Sequence, residues 1–249
     1  MSGFQQYGRR GFMGMPPVVL NLIIINVLFL VVTNIFQDKI NFYQILALFY
    51  ITSENFGSWQ FVSYMFMHGN FTHLLFNMFA LWMLGSVLEQ VWGAKRFLTF
   101  YMVTGIGAGL VQLLVTFLRV QSIEGVLTPE QINNVYTVAP EMWTRINGLT
   151  QNSYDAMVSL YQVVNGSTVG ASGSVFGILL AFGMLFPNTM LYVFFAIPVK
   201  AKYFVLIYGV AELYFGVTGT QDGIAHFAHL GGMVFGFFMI KYWRKKGVY

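Results

Sequence analysis

Polar positions in this chain gather into clusters, and between the clusters lie six apolar runs that read as membrane helices. The first, PVVLNLIIINVLFLVVTNIF, runs from about Pro17 to Phe36. The second, THLLFNMFALWMLGSVLEQV, covers about Thr72 to Val91, and the third about Phe97 to Leu118, with Lys95 and Arg96 in the short connection. The fourth, about Ala171 to Phe186, stops at the turn-like pair Pro187-Asn188 and is short for a full crossing, as suits a helix that starts below the membrane surface. The fifth covers about Tyr203 to Val217 and the sixth about Ala225 to Trp243. The piece Met190 to Ile197 is too short to span and is expected as a partly buried connector. Inside lipid every backbone polar group needs an internal partner, so the pattern predicts an all-α, polytopic helical bundle forming one domain over residues 1–249.

Two connections on one side are long. Residues 37–70 carry the cluster FYQILALFYI, which suits a segment lying in the membrane interface. Residues 119–169 contain Thr128-Pro129-Glu130-Gln131, an N-cap threonine, a proline at the first helical position and glutamine at the capping-box place, so a helix is expected to start there. A second amphipathic helix is expected over Ser153 to Val164, ending at Asn165-Gly166. The short segment 1–16 precedes the first span, without the small-residue cleavage site of a secretory signal, so that span reads as retained.

Composition agrees with the pattern and charge orients it. At 57% hydrophobic and 9% charged residues, the chain lies far from the roughly 25% charged of a soluble domain. Six spans place Arg9, Arg10, Lys95, Arg96, Lys200, Lys202, Lys241, Arg244, Lys245 and Lys246 on one face, ten of the 13 Lys and Arg. Lys39, Arg119 and Arg145 fall on the other, which collects seven of the nine acids. The positive-inside rule makes both termini cytoplasmic. The net charge of +4 is thereby an orientation signal, and the basic tail KYWRKKG fixes the sixth span and implies no nucleic acid. With no cysteine, thiolate chemistry and disulfides are excluded. The basic six-span core suits a bacterial cytoplasmic membrane.

The four histidines come in two pairs, in HGNFTHLLFN (His68, His73, then Asn77) and HFAHLGG (His226, His229). The second, fourth and sixth spans run in the same direction. His73 and Asn77 therefore lie in the first turns of one helix, Ser172 in the first turn of another, and His229 about one turn into a third. Three helices deliver polar groups to one shallow layer. Ser172 needs a base to become a nucleophile, and a histidine with an unperturbed pKa near 6.5 suits that work. His73 and Asn77, at i,i+4, project from one face. With the backbone N–H groups at the start of the fourth span they could hold the oxyanion of a tetrahedral intermediate. Gly170 and Gly173 remove bulk beside Ser172 so that a peptide could approach. The constellation reads as acyl transfer to water, hence peptide hydrolysis. No third member follows: Asp222, seven residues before His229, is given no orienting role, and the chemistry reads as a Ser172/His229 dyad.

At these residues the chain resembles the rhomboid intramembrane serine proteases, in GASG at 170–173, HGNFTHLLFN at 68–77 and AHLGGMVFG at 228–236, in family order. The resemblance implies Ser172 as nucleophile, His229 as general base, and His73 with Asn77 as oxyanion donors. It implies that Gly232 and Gly236, a GxxxG, pack the sixth span on the fourth. It further implies a serine-type endopeptidase that acts on transmembrane protein substrates within membrane lipid and needs no metal or organic cofactor. Where many members carry Trp-Arg in the first outer loop, this chain has Trp59-Gln60. Where a tyrosine often stacks on the catalytic histidine, it has Phe176, which can stack without offering a hydroxyl.

Alternatives stay open for several groups. Taken alone, Ser172 reads as an N-cap and the glycines as packing residues. His226 is expected in a structural or access role, His68 just above the layer, and Glu89 as a cap or pairing partner inside the bundle. Glu212 is expected to snorkel to the outer interface. Four histidines could hold zinc, a reading favoured if a chelator abolished activity while a fluorophosphonate failed to label Ser172. A non-proteolytic binder of transmembrane helices would capture a substrate and never cut it. The 119–169 segment is open between a lid, a docking element and a partner surface.

Overall fold

A computed structural model describes residues 14–146, 148–193, 196–219 and 225–247; Arg9, Arg10 and Asp222 lie outside them. Helix α1 is Pro17–Phe36, α2 Phe71–Trp92 with a π turn over Leu81–Gly85, and α3 Ala94–Glu124. Two helices of the outer connection follow, α4 (Pro129–Thr137) and α5 (Gln151–Asn165). The chain then re-enters the bundle as α6 (Ser172–Leu185), makes a hairpin of β1 (Met190–Val193) and β2 (Ile197–Lys200), and closes with α7 (Ala201–Thr218) and α8 (His226–Lys245). By length and apolar composition α1, α2 and α3 can each cross a membrane, and α6 is a shorter apolar helix. Exposed apolar side chains such as Leu28, Phe76, Leu206, Val210 and Val217 form the rim, so this surface suits lipid and the molecule is a membrane protein.

A helix stands at each expected span, with two corrections at their margins. α3 continues past Leu118 to Glu124, because its outer end is covered rather than free: Val120 is buried in a second hydrophobic cluster. The connector at Met190 pairs with Ile197–Lys200 as an antiparallel hairpin, Met190 opposite Lys200, since an extended pair satisfies backbone groups that a lone apolar stretch would leave open. The capping box at Thr128 forms, with the Gln131 amide donating to Thr128 Oγ1 and the Thr128 amide to Gln131 Oε1. The helix expected at Ser153 starts slightly earlier, capped by Thr150.

The main core runs through the centre of the bundle, from Val19 and Leu22 through Phe97 and Phe100 to Ile240 and Trp243. At the end of the bundle away from Ser172, Trp92, Phe100 and Trp243 pack at tilted to edge-on angles with ring centroids 5.0 to 6.0 Å apart. Glu89 is buried there and accepts the first amides of α1, from Val18 at 3.0 Å and Val19 at 2.8 Å, so it caps that helix. The outer connection has its own core around the fully buried Trp143, with Met157, Leu160, Val164 and Tyr50. It joins the first outer loop by a bridge between Leu48 and Thr168 and a hydrogen bond from Ser53 Oγ to Asn165 Oδ1.

Candidate active site

The depth of the Ser172 and His229 layer is set by backbone contact between α6 and α8. A Cβ at Gly232 would run into the carbonyl of Gly173, and one at Gly236 would reach the Gly177 Cα at 3.4 Å. At Gly232 only glycine permits this approach, while Gly236 brings α8 to van der Waals contact with α6, as the GxxxG spacing implied. Gly173 itself faces Ala108 of α3 and α8, so its missing side chain serves helix packing; the substrate-approach role expected for it is not where the structure puts it. The neighbouring Ser174 is buried and donates to the Tyr101 carbonyl at 2.7 Å, which fixes α6 on α3.

Ser172 opens α6. The residue before the helix is Ala171, without a side-chain cap, so Ser172 is not the N-cap that the bland reading supposed. Its hydroxyl lies 2.8 Å from Nε2 of His229. The His229 ring is covered by Phe176 in a parallel stack, centroids 4.2 Å apart and 5° between planes. Stacking holds the plane of the imidazole without competing for either nitrogen.

Across the layer, the His73 ring faces Gly170, whose φ of +129° belongs to glycine. A Cβ at Gly170 would lie 3.0 Å from His73 Nε2 and 3.4 Å from Ser172 Oγ. The space that glycine leaves open is thus a small gap between a nitrogen able to donate and the Ser172 hydroxyl. The first helical amide bond of α6 is Val175 N–H to the Ala171 carbonyl, so the amides of Ser172 and Gly173 precede the ladder. Asn77 is buried and donates one amide hydrogen to the His73 carbonyl at 3.0 Å, stiffening the turn that carries His73. His68, beyond the helix start, packs edge-on to His73 at 5.0 Å. Burial and the neighbouring His73 push its pKa down to about 4, so it is neutral near pH 7.

Glu212 departs from expectation. It does not snorkel; it is 7% exposed, and its Oε2 accepts from Nδ1 of His229 at 2.9 Å and from Nδ1 of His226 at 2.7 Å. In lipid the two imidazole donors replace the water that snorkelling would have sought. The signal was present in the sequence as a lone acid inside an apolar run, yet its partners lie 14 and 17 residues downstream on another helix. Glu212, His226 and His229 also form the group among the described residues whose ligand atoms could surround a metal ion, all within 4.8 Å. His68 and His73 sit as a separate pair in the first outer loop and α2, so the four histidines are not one tetrahedral set. Gln60 is buried and ties the first outer loop together, donating to the Asn55 carbonyl at 2.7 Å and accepting from the Phe49 amide at 3.2 Å.

The sequence matches the Rhomboid domain family profile over residues 55–126 and 135–246. It is 27% identical over 195 residues to the mitochondrial Rhomboid protein 1 of Saccharomyces cerevisiae, covering 78% of this chain and 43% of that protein. It is 26% identical over 183 residues to Rhomboid protease AarA of Providencia stuartii, covering 72% of this chain and 53% of that one. Rhomboid protease GlpG of Yersinia pestis is 28% identical over 151 residues, 55% of this chain and 52% of its own. The chain thus spans about half the length of the curated relatives it matches. Matched segments that run from the first outer loop through α8, and that contain Ser172 and His229 at hydrogen-bond distance, lead to one assignment: the chain belongs to the rhomboid family.

Proposed function

We propose that this protein is an intramembrane serine endopeptidase that hydrolyses a peptide bond in or beside a transmembrane segment of another membrane protein. The observation that carries the reading is the 2.8 Å contact between Ser172 Oγ and His229 Nε2 at the ends of two closely packed helices. Ser172 Oγ attacks the scissile carbonyl carbon while its proton passes to His229 Nε2. The carbonyl oxygen becomes an oxyanion, for which the gap at Gly170 offers the His73 ring and the early amides of α6. Asn77, which gives one amide hydrogen to the His73 carbonyl, has a second hydrogen to offer the same oxyanion. His229 then returns the proton to the leaving amine, and water attacks the acyl-enzyme with His229 again as base. The relatives named as rhomboid proteases support this reaction class.

Orientation and compartment belong to the same proposal. The Lys and Arg asymmetry supports cytoplasmic termini and cleavage toward the outer leaflet, and the basic six-span core suits a bacterial cytoplasmic membrane. The yeast relative is mitochondrial by name, so fractionation of the source cells decides between the two compartments. The test of the chemistry is Ser172→Ala and His229→Ala, each purified in detergent and assayed on a quenched-fluorophore transmembrane peptide. Each is expected to abolish cleavage with the unfolding midpoint within a few degrees of the parent. Retained cleavage in either removes the mechanism, and capture of the peptide by the parent without any cut favours a binder.

A further inference from the structure

An acid inside a membrane bundle is costly unless its charge is answered, and Glu212 is answered on one oxygen by two imidazoles. We infer that Glu212 is a positioning residue that extends the Ser172/His229 pair to a hydrogen-bonded triad, with His226 bracing its carboxylate; this rests on the protease reading above.

The chemistry follows from what a carboxylate can accept. A neutral imidazole carries one N–H, and its partner decides which nitrogen holds it. An ionised Glu212 accepts only, so it keeps the His229 proton on Nδ1, at 2.9 Å. The lone pair of Nε2 is then left facing the Ser172 hydroxyl at 2.8 Å. The opposite tautomer would present an N–H to Ser172 and could not take its proton. When Nε2 does take that proton, the new imidazolium carries both protons beside the Glu212 charge, in a site with little water to screen it. The proton stays on His229 and Glu212 remains a carboxylate. This ion pair exists in the transition state and not with bound substrate, so it acts on kcat.

The packing is consistent with a fixed acid. Gly216, one turn beyond Glu212 on α7, sits close against α8: a Cβ there would lie 3.1 Å from Phe227 and 3.2 Å from His226 Cβ, tight enough that the neighbours would have to give by a few tenths of an ångström. That close approach of α7 to α8 brings a carboxylate within reach of Nδ1. His226, 5% exposed, uses its own Nδ1 on the same Oε2 and so limits rotation of the carboxylate. Phe176 closes a face of the His229 ring. The base is thereby held by its plane, its tautomer and its far nitrogen at once.

The full chain in detergent, with the transmembrane peptide as substrate and a fluorophosphonate as probe of Ser172, tests the triad. Glu212→Gln keeps the shape and removes the charge. It should lower kcat by about 100-fold or more, toward the ~10,000-fold seen when a buried orienting carboxylate becomes an amide, with KM within twofold and fluorophosphonate labelling falling in parallel. A Glu212→Gln protein with kcat within threefold of the parent overturns the triad. In case that variant does not fold, nitrogen-15 spectra of histidine-labelled parent protein supply a second reading: His229 should be protonated at Nδ1 and bare at Nε2, and the reverse overturns the triad. Activity lost to a chelator and restored by zinc also overturns it, in favour of a metal held by Glu212, His226 and His229. A parent chain that neither cleaves nor labels overturns the protease reading and the triad with it, whereas an active parent with an equally active Glu212→Gln variant sinks the triad alone.

Discussion

Replacing Gly170 by alanine separates backbone strain from loss of chemistry. The residue has φ +129°, so any L side chain there is strained by about 1 to 3 kcal/mol. The added methyl would also stand 2.9 Å from His73 Cε1 and 3.0 Å from Nε2, which forces the ring back by a few tenths of an ångström, and would touch Ser172 Oγ at 3.4 Å. It fills the gap in which a developing oxyanion would sit. Loss of one such donor typically costs ~100 to 1000-fold in rate, or about 3 to 4 kcal/mol of transition-state stabilisation. Gly93 is the control: it has φ +78°, lies between α2 and α3 at the opposite end of the bundle, and a Cβ there meets nothing within 4 Å. Both variants are measured for peptide cleavage and for thermal unfolding in the same detergent. Both should lose stability through backbone strain, Gly170→Ala the more because of its added contact with His73, and only Gly170→Ala should lose kcat by about 100-fold. The reasoning is refuted if Gly170→Ala cleaves within threefold of the parent, or if Gly93→Ala loses kcat as severely.

Two further outcomes follow from the geometry. Gly232→Ala would drive a methyl into the Gly173 carbonyl and push α8 from α6, so it should destabilise the fold by about 1 to 3 kcal/mol and lengthen the Ser172 to His229 contact; a variant with parental unfolding midpoint and parental fluorophosphonate labelling contradicts this. His68 is 1% exposed with its pKa lowered from 6.5 to about 4, so the unfolded chain binds more protons between those values and the stability due to neutral His68 is lost as pH falls from about 6.5 to about 4, by up to ~3 kcal/mol. His68→Phe should flatten the unfolding midpoint over that window, and an unchanged slope would show that another group carries the pH dependence.

Much of the bundle is readable because lipid constrains it so heavily: α1 begins and ends at the expected residues, and the two histidine pairs and GASG mark the layer without any coordinates. Local chemistry is equally legible, as the Thr128 capping box shows. Long-range contact is not. Glu212 reads as a snorkelling acid because a single helix shows no partner for it, and its two imidazoles become visible only when α7 and α8 are packed. Gly173 looks like room for substrate because it follows the nucleophile, yet the space beside it is already filled by Ala108 and α8. The core around Trp143 also escapes sequence reading, since it is assembled from Tyr50 of one outer loop and Met157, Leu160 and Val164 of another.

The Gly173 and Gly232 contact has a mechanical consequence. It lies one residue from Ser172 and three from His229, near one end of a helix that continues to Lys245. At about 1.5 Å per residue, a 10° rocking of α8 about this point would move His229 by roughly 0.8 Å but the far end by more than ~3 Å. Tilting of α8 would therefore be felt most at the end that carries Lys241 and Tyr242. The bond-making atoms stay close to the pivot. A bundle built this way puts most of any tilting of α8 at its far end and passes only a fraction of it to the Ser172 to His229 contact.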